Sequence, residues 1–498
     1  MTQKTIIIIG AGIAGLAAGC YGQMNGYKTR IFELHSAPGG LCTAWKRKGY
    51  TFDGCIHWLV GTGQQSSIHR IWEELGAVQG RQIVDHAVYL QVEEAGGKVF
   101  TVYTNVDRLE NHMLELAPAD ARPVKELCNA IRQAAGVDIP LDNPNALSTI
   151  KIMLRGLSMI GLYRKWGKMS VPAFAARISD PFLRQAFSDI FDMPDFPMLA
   201  VIMMLSSMHN RNAGYPVGGS LEFSRAIERR YLALGGELNY NGRVVKILVE
   251  NDTAVGIRLA DGSEQRADIV ISAADGHATI FDMLGGKYIN DTIRGYYDKL
   301  PIFQGIVQVS LGVRRDLSAE PPMRSFSLAR PITVGGRPRQ RLGIRHLCFD
   351  PSMAPAGRSV VIAMFESDHA YWKELAQERE RYDAEKQQVA LDVINRLGTV
   401  YPGIGDEVEV VDVATPLTTE RYTGNWQGSM EGWQINTHNI DMMVSKGMDK
   451  TLPGLKNFYM AGQWVEVGGG VPTAAMSGRK LLGTLCKLDK KKFVTSLP

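Results

Sequence analysis

Four consecutive isoleucines, Ile6 to Ile9, form an unbroken apolar run at the start of the chain. A run so short and so β-branched predicts a strand covered on both faces, the usual state of a parallel sheet. Thr29 to Phe32 reads as a second strand, and Asn457 to Ala461 as a third near the far end. Helical spacing covers Ile68 to Leu75, much of Asp107 to Ala135, and Leu221 to Leu234, which stops at Gly235-Gly236. Period-two alternation predicts hairpins at Ala87 to Val92 with Lys98 to Tyr103, and at Val244 to Val249 with Ala254 to Leu259 around Asn251-Asp252. Ala267 to Ala273, Ile302 to Val313, Arg341 to Phe349, Ser359 to Phe365 and Val408 to Ala414 read as further strands. Arg379 to Leu397 is a polar amphipathic helix, and Thr473 to Cys486 another helix. Strands alternating with helices at both ends and a strand-rich middle predict an α/β protein.

The turns carry the chemistry. Directly after the isoleucines, Gly10, Gly12 and Gly15 have the G-x-G-x-x-G spacing, and Ile13 to Ala18 can start a helix whose free N–H groups face the turn. This is a Rossmann-type pyrophosphate seat: the first two glycines let the backbone reach the phosphates, with Ile13 and Ala14 in the turn, and the third lets helix and strand pack closely. Glu33, about 20 residues on, ends the second strand where a carboxylate accepts from ribose hydroxyls. The motif alone does not separate NAD from FAD. Pro38-Gly39-Gly40-Leu41 follows the acid and resembles the second glycine pair of two-dinucleotide-fold flavoproteins, which implies FAD. Gly462 and Gly468-Gly469-Gly470-Val471-Pro472 offer one more helix N-terminus to the same cofactor.

A length of 498 residues exceeds one core and predicts two interleaved domains. The nucleotide domain takes 1–85, 213–295 and 421–498; a mixed-sheet and helical substrate domain takes 86–212 and 296–420. A net charge of +4, with no basic arm or reading helix, argues against nucleic acid. Six cysteines without a C-x-x-C pair predict reduced thiols in a cytoplasmic protein, and ten histidines without ligand spacing predict no metal. No apolar run reaches 18 residues, and the N-terminus is taken up by the glycine motif rather than a leader peptide.

Lys48-Gly49-Tyr50-Thr51-Phe52-Asp53-Gly54-Cys55-Ile56-His57-Trp58 resembles the segment that runs beneath the flavin in the phytoene desaturase, carotenoid isomerase and retinol saturase family, within the flavin amine oxidase group. Leu41 stands where that family commonly has arginine. The resemblance implies an FAD-dependent oxidoreductase that moves hydride to or from a long isoprenoid or polyene substrate, desaturating, saturating or isomerising it. It further implies that Val244 touches adenine through its backbone, that Gly462 and Gly469 to Val471 meet the ribityl chain and ring, and that Tyr422 to Trp433 returns the chain to the flavin. His57 and Trp58 would then lie near the ring or substrate tunnel. His57 is either a general base or a histidine satisfied within the fold. No second G-x-G-x-x-G is present, so the electron acceptor would be a quinone, oxygen or transiently bound NAD(P). The same architecture also serves amine oxidases and non-catalytic prenyl-binding escort proteins; intact glycine turns argue against the latter.

Between Asp142 and Asp180 there is no acid, while Lys151, Arg155, Arg164, Lys165 and Lys168 oppose a face of Ile152, Met153, Met159, Ile160, Tyr163 and Trp166. A basic amphipathic helix over 151–168 suits either contact with an anionic membrane surface or an ordinary solvated face. The tail from Lys487 to Lys492, with four lysines, would add weakly to such contact. Met193 to Met208 is methionine-rich and suits either a tunnel wall or plain core.

Overall fold

Thr5–Ile9 occupies the centre of a five-stranded parallel sheet in the computed structural model, which describes residues 3–137, 158–190, 193–444 and 447–498. The strand order is Glu237–Asn239, Lys28–Phe32, Thr5–Ile9, Ile269–Ser272 and Phe458–Met460, so pieces from the start, middle and end of the chain share one sheet. Ile9 pairs with Phe32 on one side and Ser272 on the other. Ile6 to Ile9 are at most 3% exposed, as expected for a strand covered on both faces.

Ile13–Met24 follows the first strand and packs against Val471–Leu488, which brings the two glycine-led helices side by side. A buried carboxylate ties them to Ser67–Glu74: Glu74 Oε2 accepts from Tyr21 Oη at 2.7 Å and from Arg479 Nε at 3.2 Å, and Oε1 accepts from Arg70 Nε at 3.1 Å. Glu74→Gln keeps the side chain's shape but removes the charge facing two arginines. We expect urea unfolding to report a loss of about 2 kcal/mol.

A seven-stranded mixed sheet forms the second layer, in the order Val408–Ala414, Ile306–Val313, Ser359–Glu366, Arg337–His346, Met323–Val334, Val88–Glu93 and Val99–Tyr103. All neighbours are antiparallel except Met323–Val334 with Val88–Glu93. Met323–Val334 is the strand that alternation did not reveal. Its sequence, MRSFSLARPITV, is broken by Arg330 and Pro331, and its register slips between Ser327 and Ile332. The tight Gly335-Gly336 turn into Arg337–His346 was the available signal.

Helices cover the far side. Val106–Leu116 and Ala121–Ala135 are separated by a turn that begins at Pro118, and Met198–His209 packs on the latter. The methionines of that helix are mostly core: Met198, Met204 and Met208 are all buried. Residues 151–157 of the basic segment lie outside the described residues; 158–166 are helical. The face read as apolar is split there, because Ile160 is 48% exposed while Leu162 and Trp166 are buried. Trp166 meets Phe174 at 5.8 Å, and Lys165 and Lys168 pair with Glu126 and Asp441. Tertiary packing thus turns the tryptophan inward, where it cannot act as an interfacial anchor. Among the described residues no helix is long and apolar enough to cross a membrane.

Candidate functional site

The three glycine turns meet. Gly39 N–H donates to Ala11 O at 2.9 Å, a Cβ on Gly40 would lie 3.4 Å from Gly12 Cα, and one on Gly462 would lie 3.2 Å from Ala14 Cβ. They enclose a cleft of about 660 Å³ lined by Gly10, Gly12, Ile13, Ala14, Glu33, Gly39, Gly40, Leu41, Val244, Gly462, Gly470 and Val471. Two helices open on this cleft, at Gly12 and Gly470, and neither N-terminus has a side-chain cap. First-turn N–H groups without a protein partner are the donors that a pyrophosphate needs.

Gly15 and Gly469 do not line the cleft. A Cβ on Gly15 would sit 2.0 Å from Gly10 O, so this glycine allows helix and strand to pack closely. A Cβ on Gly469, where φ is +55°, would sit 2.1 Å from Glu431 Oε2, so this glycine makes room for a carboxylate. Glu33 is buried at the end of its strand; Oε2 accepts from Ala11 N–H at 2.6 Å and Oε1 from His35 N–H at 2.9 Å. Burial raises its pKa, partly offset by these backbone donors.

Glu431 is the residue that sequence reasoning missed. Its carbonyl accepts from Asn425 Nδ2 and Gln463 Nε2, both at 2.8 Å, which fixes the backbone. Its carboxyl lines the cleft and has no hydrogen-bond or ion-pair partner among the described residues, and burial pushes its pKa up to about 7. Asp275, also on the cleft, is likewise raised to about 7 by burial, but it is anchored by Ala278 N–H at 2.7 Å and Trp426 N–H at 2.8 Å. The signal for Glu431 was a single acid between two tryptophans in YTGNWQGSMEGW, a segment already read as returning to the flavin.

Those tryptophans fill a junction. Trp433 is fully buried and donates to Trp464 O at 3.0 Å, while half-buried Trp426 stacks on His277 at 4.8 Å. His57 does not reach the cleft. It lies with Trp58 on a second cavity of about 330 Å³, beside Arg345 and His346.

The sequence model for flavin containing amine oxidoreductases matches residues 13–480. The chain belongs to that family. It is an FAD-dependent oxidoreductase. The prolycopene isomerase of Daucus carota is 23% identical, over 90% of this chain and 76% of its own. A lycopene-forming phytoene desaturase of Paracoccus sp. is 25% identical, over 96% of each. Among solved structures, an oxidoreductase from Methanosarcina mazei superposes with a TM-score of 0.61 at 17% identity, covering 96% of this chain and 99% of that one, a likeness of fold. The resemblance drawn from the glycine turns and the Gly49 to Asp53 segment therefore holds.

Glycine backbone on three sides, a buried acid at the end of the neighbouring strand and two uncapped helix N-termini fit a dinucleotide, and the volume falls within the range of cofactor sites.

Proposed function

We propose that this flavoprotein moves hydrogen into or out of a long apolar isoprenoid or polyene substrate. The observation that carries the reading is the unpaired Glu431 carboxyl in a cleft built by glycine turns from both ends of the chain. Relatives named for prolycopene and phytoene support the substrate class.

Gly10 to Ala14, Glu33, Gly39 to Leu41, Val244, Gly462, Gly470 and Val471 would hold FAD, which when bound supplies hydride exchange with a substrate carbon. Glu431 would exchange the accompanying proton: a carboxyl near pH 7 is poised to do either. Trp433 and Trp464 exclude water from that end. They meet at 82° with centroids 5.1 Å apart, and both indole N–H groups are spent on protein acceptors, which disfavours the parallel aromatic cage of an amine oxidase.

The nucleotide unit would comprise 1–85, 213–295 and 421–498 and the substrate unit the remainder. Reoxidation would fall to a quinone, oxygen or transient NAD(P), in a cytoplasmic protein that touches membranes peripherally to collect its substrate.

Purified protein should be yellow and release FAD on denaturation. Under anaerobic conditions phytoene or lycopene in detergent should alter the oxidised or reduced flavin spectrum together with the polyene bands. A response to putrescine and none to any polyene would overturn the assignment.

A further inference from the structure

The second cavity is lined by a buried cation with two unused donors. Arg345, 4% exposed, projects from Arg337–His346 and donates through Nη2 to Asp53 O at 2.9 Å, while its Nε and Nη1 have no partner among the described residues. The buried Asp53 carboxylate offsets its charge but bonds elsewhere: Oδ1 accepts from Cys55 N–H at 2.9 Å and Ser220 Oγ at 2.6 Å, and Oδ2 from Ser220 N–H at 2.7 Å. Burial draws the Arg345 guanidinium down to about 10, a sign of how costly the charge is at this place.

The cavity has a direction. Arg108 and Arg211 line its exposed rim, with Asp85 the one acid there among the described residues, and Arg345 lies at its buried end. Trp58, Tyr89 and Phe349 supply aromatic wall between them. Burial keeps the neighbouring His86 and His346 below the ordinary histidine range, His346 at about 4, so at neutral pH they add no charge. With Asp53 counted beside Asp85, three arginines face two aspartates among the described residues, which leaves one positive charge in excess, and the wall mixes aromatic with polar side chains.

We infer that this cavity binds the carboxylate end of a long apolar molecule, such as a polyene or isoprenoid acid, with Arg345 as the buried hydrogen-bond donor and the rim arginines supplying the excess positive charge. A single buried guanidinium suits one negative charge held by a planar fork; a diphosphate would call for more cations at the buried end. The inference deepens the polyene reading by giving the substrate, or a product, an acidic terminus.

The test uses full-length, flavin-loaded protein and quenching of tryptophan fluorescence, since Trp58 lies in the wall. All-trans-retinoic acid should bind about tenfold or more tightly than all-trans-retinol at low salt. In Arg345→Gln that preference should fall below about twofold, with retinol binding and the flavin spectrum retained. The rim double variant Arg108→Gln/Arg211→Gln, at exposed positions that do not threaten folding, should weaken retinoate several-fold and flatten its salt dependence. Equal binding of acid and alcohol by the unmodified protein, or a preference that survives in both variants, overturns the inference. So does tighter binding of geranylgeranyl diphosphate than of retinoate. If hydrocarbon polyenes still change the flavin spectrum in that event, the proposed function stands and the anion site alone fails.

Discussion

Gly15→Ala should give a protein that accumulates poorly and carries no flavin. The added methyl would meet Gly10 O at 2.0 Å, Gly10 C at 3.1 Å and Ala273 Cβ at 3.3 Å, and the first two are backbone atoms that no rotamer change can move. Relief requires Ile13–Met24 to lift from the central strand. That displacement would open the buried interface with Val471–Leu488 as well as the phosphate turn, so the cost exceeds the ordinary range for overpacking, at about 3 kcal/mol or more. Gly12→Ala provides the contrast. Its Cβ would find only Gly39 O, at 4.0 Å, and Gly12 has φ −64°, which alanine adopts freely. The Gly12 variant should therefore fold with near-normal unfolding by urea yet bind FAD at least tenfold more weakly, because its methyl occupies cleft that the pyrophosphate needs. Circular dichroism for folding and flavin absorbance for loading separate the two cases. A Gly15 variant with full flavin content would refute the packing argument.

Those two glycines also mark what the sequence could and could not disclose. The turn at Gly10 to Gly15 was legible because strand, spacing, helix and acid follow one another within about 30 residues, the length of one βαβ unit. The second and third glycine turns were legible as turns, and their convergence followed from the family resemblance. Distance information enters only with the fold: Gly469 reads as a cofactor contact in sequence, but in space it makes room for Glu431. His57 was chosen for its residue type and its place after Asp53, yet the chain turns there and delivers it to the second cavity. The pairing that matters, Arg345 near Asp53, joins residues 292 positions apart, and no local pattern encodes it. The helix over 158–166 failed in a different way. Helical periodicity ranked its faces by composition, whereas the neighbouring helices selected Leu162 and Trp166 for burial and left Ile160 in solvent.

Glu431→Gln should abolish most turnover while raising stability at alkaline pH. The carboxyl is raised by burial to about 7, above its ordinary value of 4.5. A group whose folded pKa is raised binds its proton more tightly in the native state. Between pH 4.5 and pH 7 the unfolded chain therefore ionises first, and stability declines as pH rises; above pH 7 the deficit is constant. The full shift corresponds to about 3 kcal/mol, and about 2 kcal/mol of it develops between pH 5.5 and 8.5. Glutamine has the same shape and no charge, so urea unfolding should find the variant's advantage over the parent growing by that amount across the interval. The same substitution removes an unpartnered acid from the cleft, where the other acid without a hydrogen bond or ion pair among the described residues, Asp282, is exposed, and loss of a positioned acid–base group lowers rates by about 10² to 10⁴. Two readouts keep the chemical and structural roles apart. Flavin content and its binding constant should change by less than about twofold, since the neutral amide still clears Gly469, whereas the pH dependence of polyene conversion near 7 should disappear. Wild-type turnover in the variant would remove Glu431 from the chemistry, and a stability difference independent of pH would remove the buried charge that motivates the assignment.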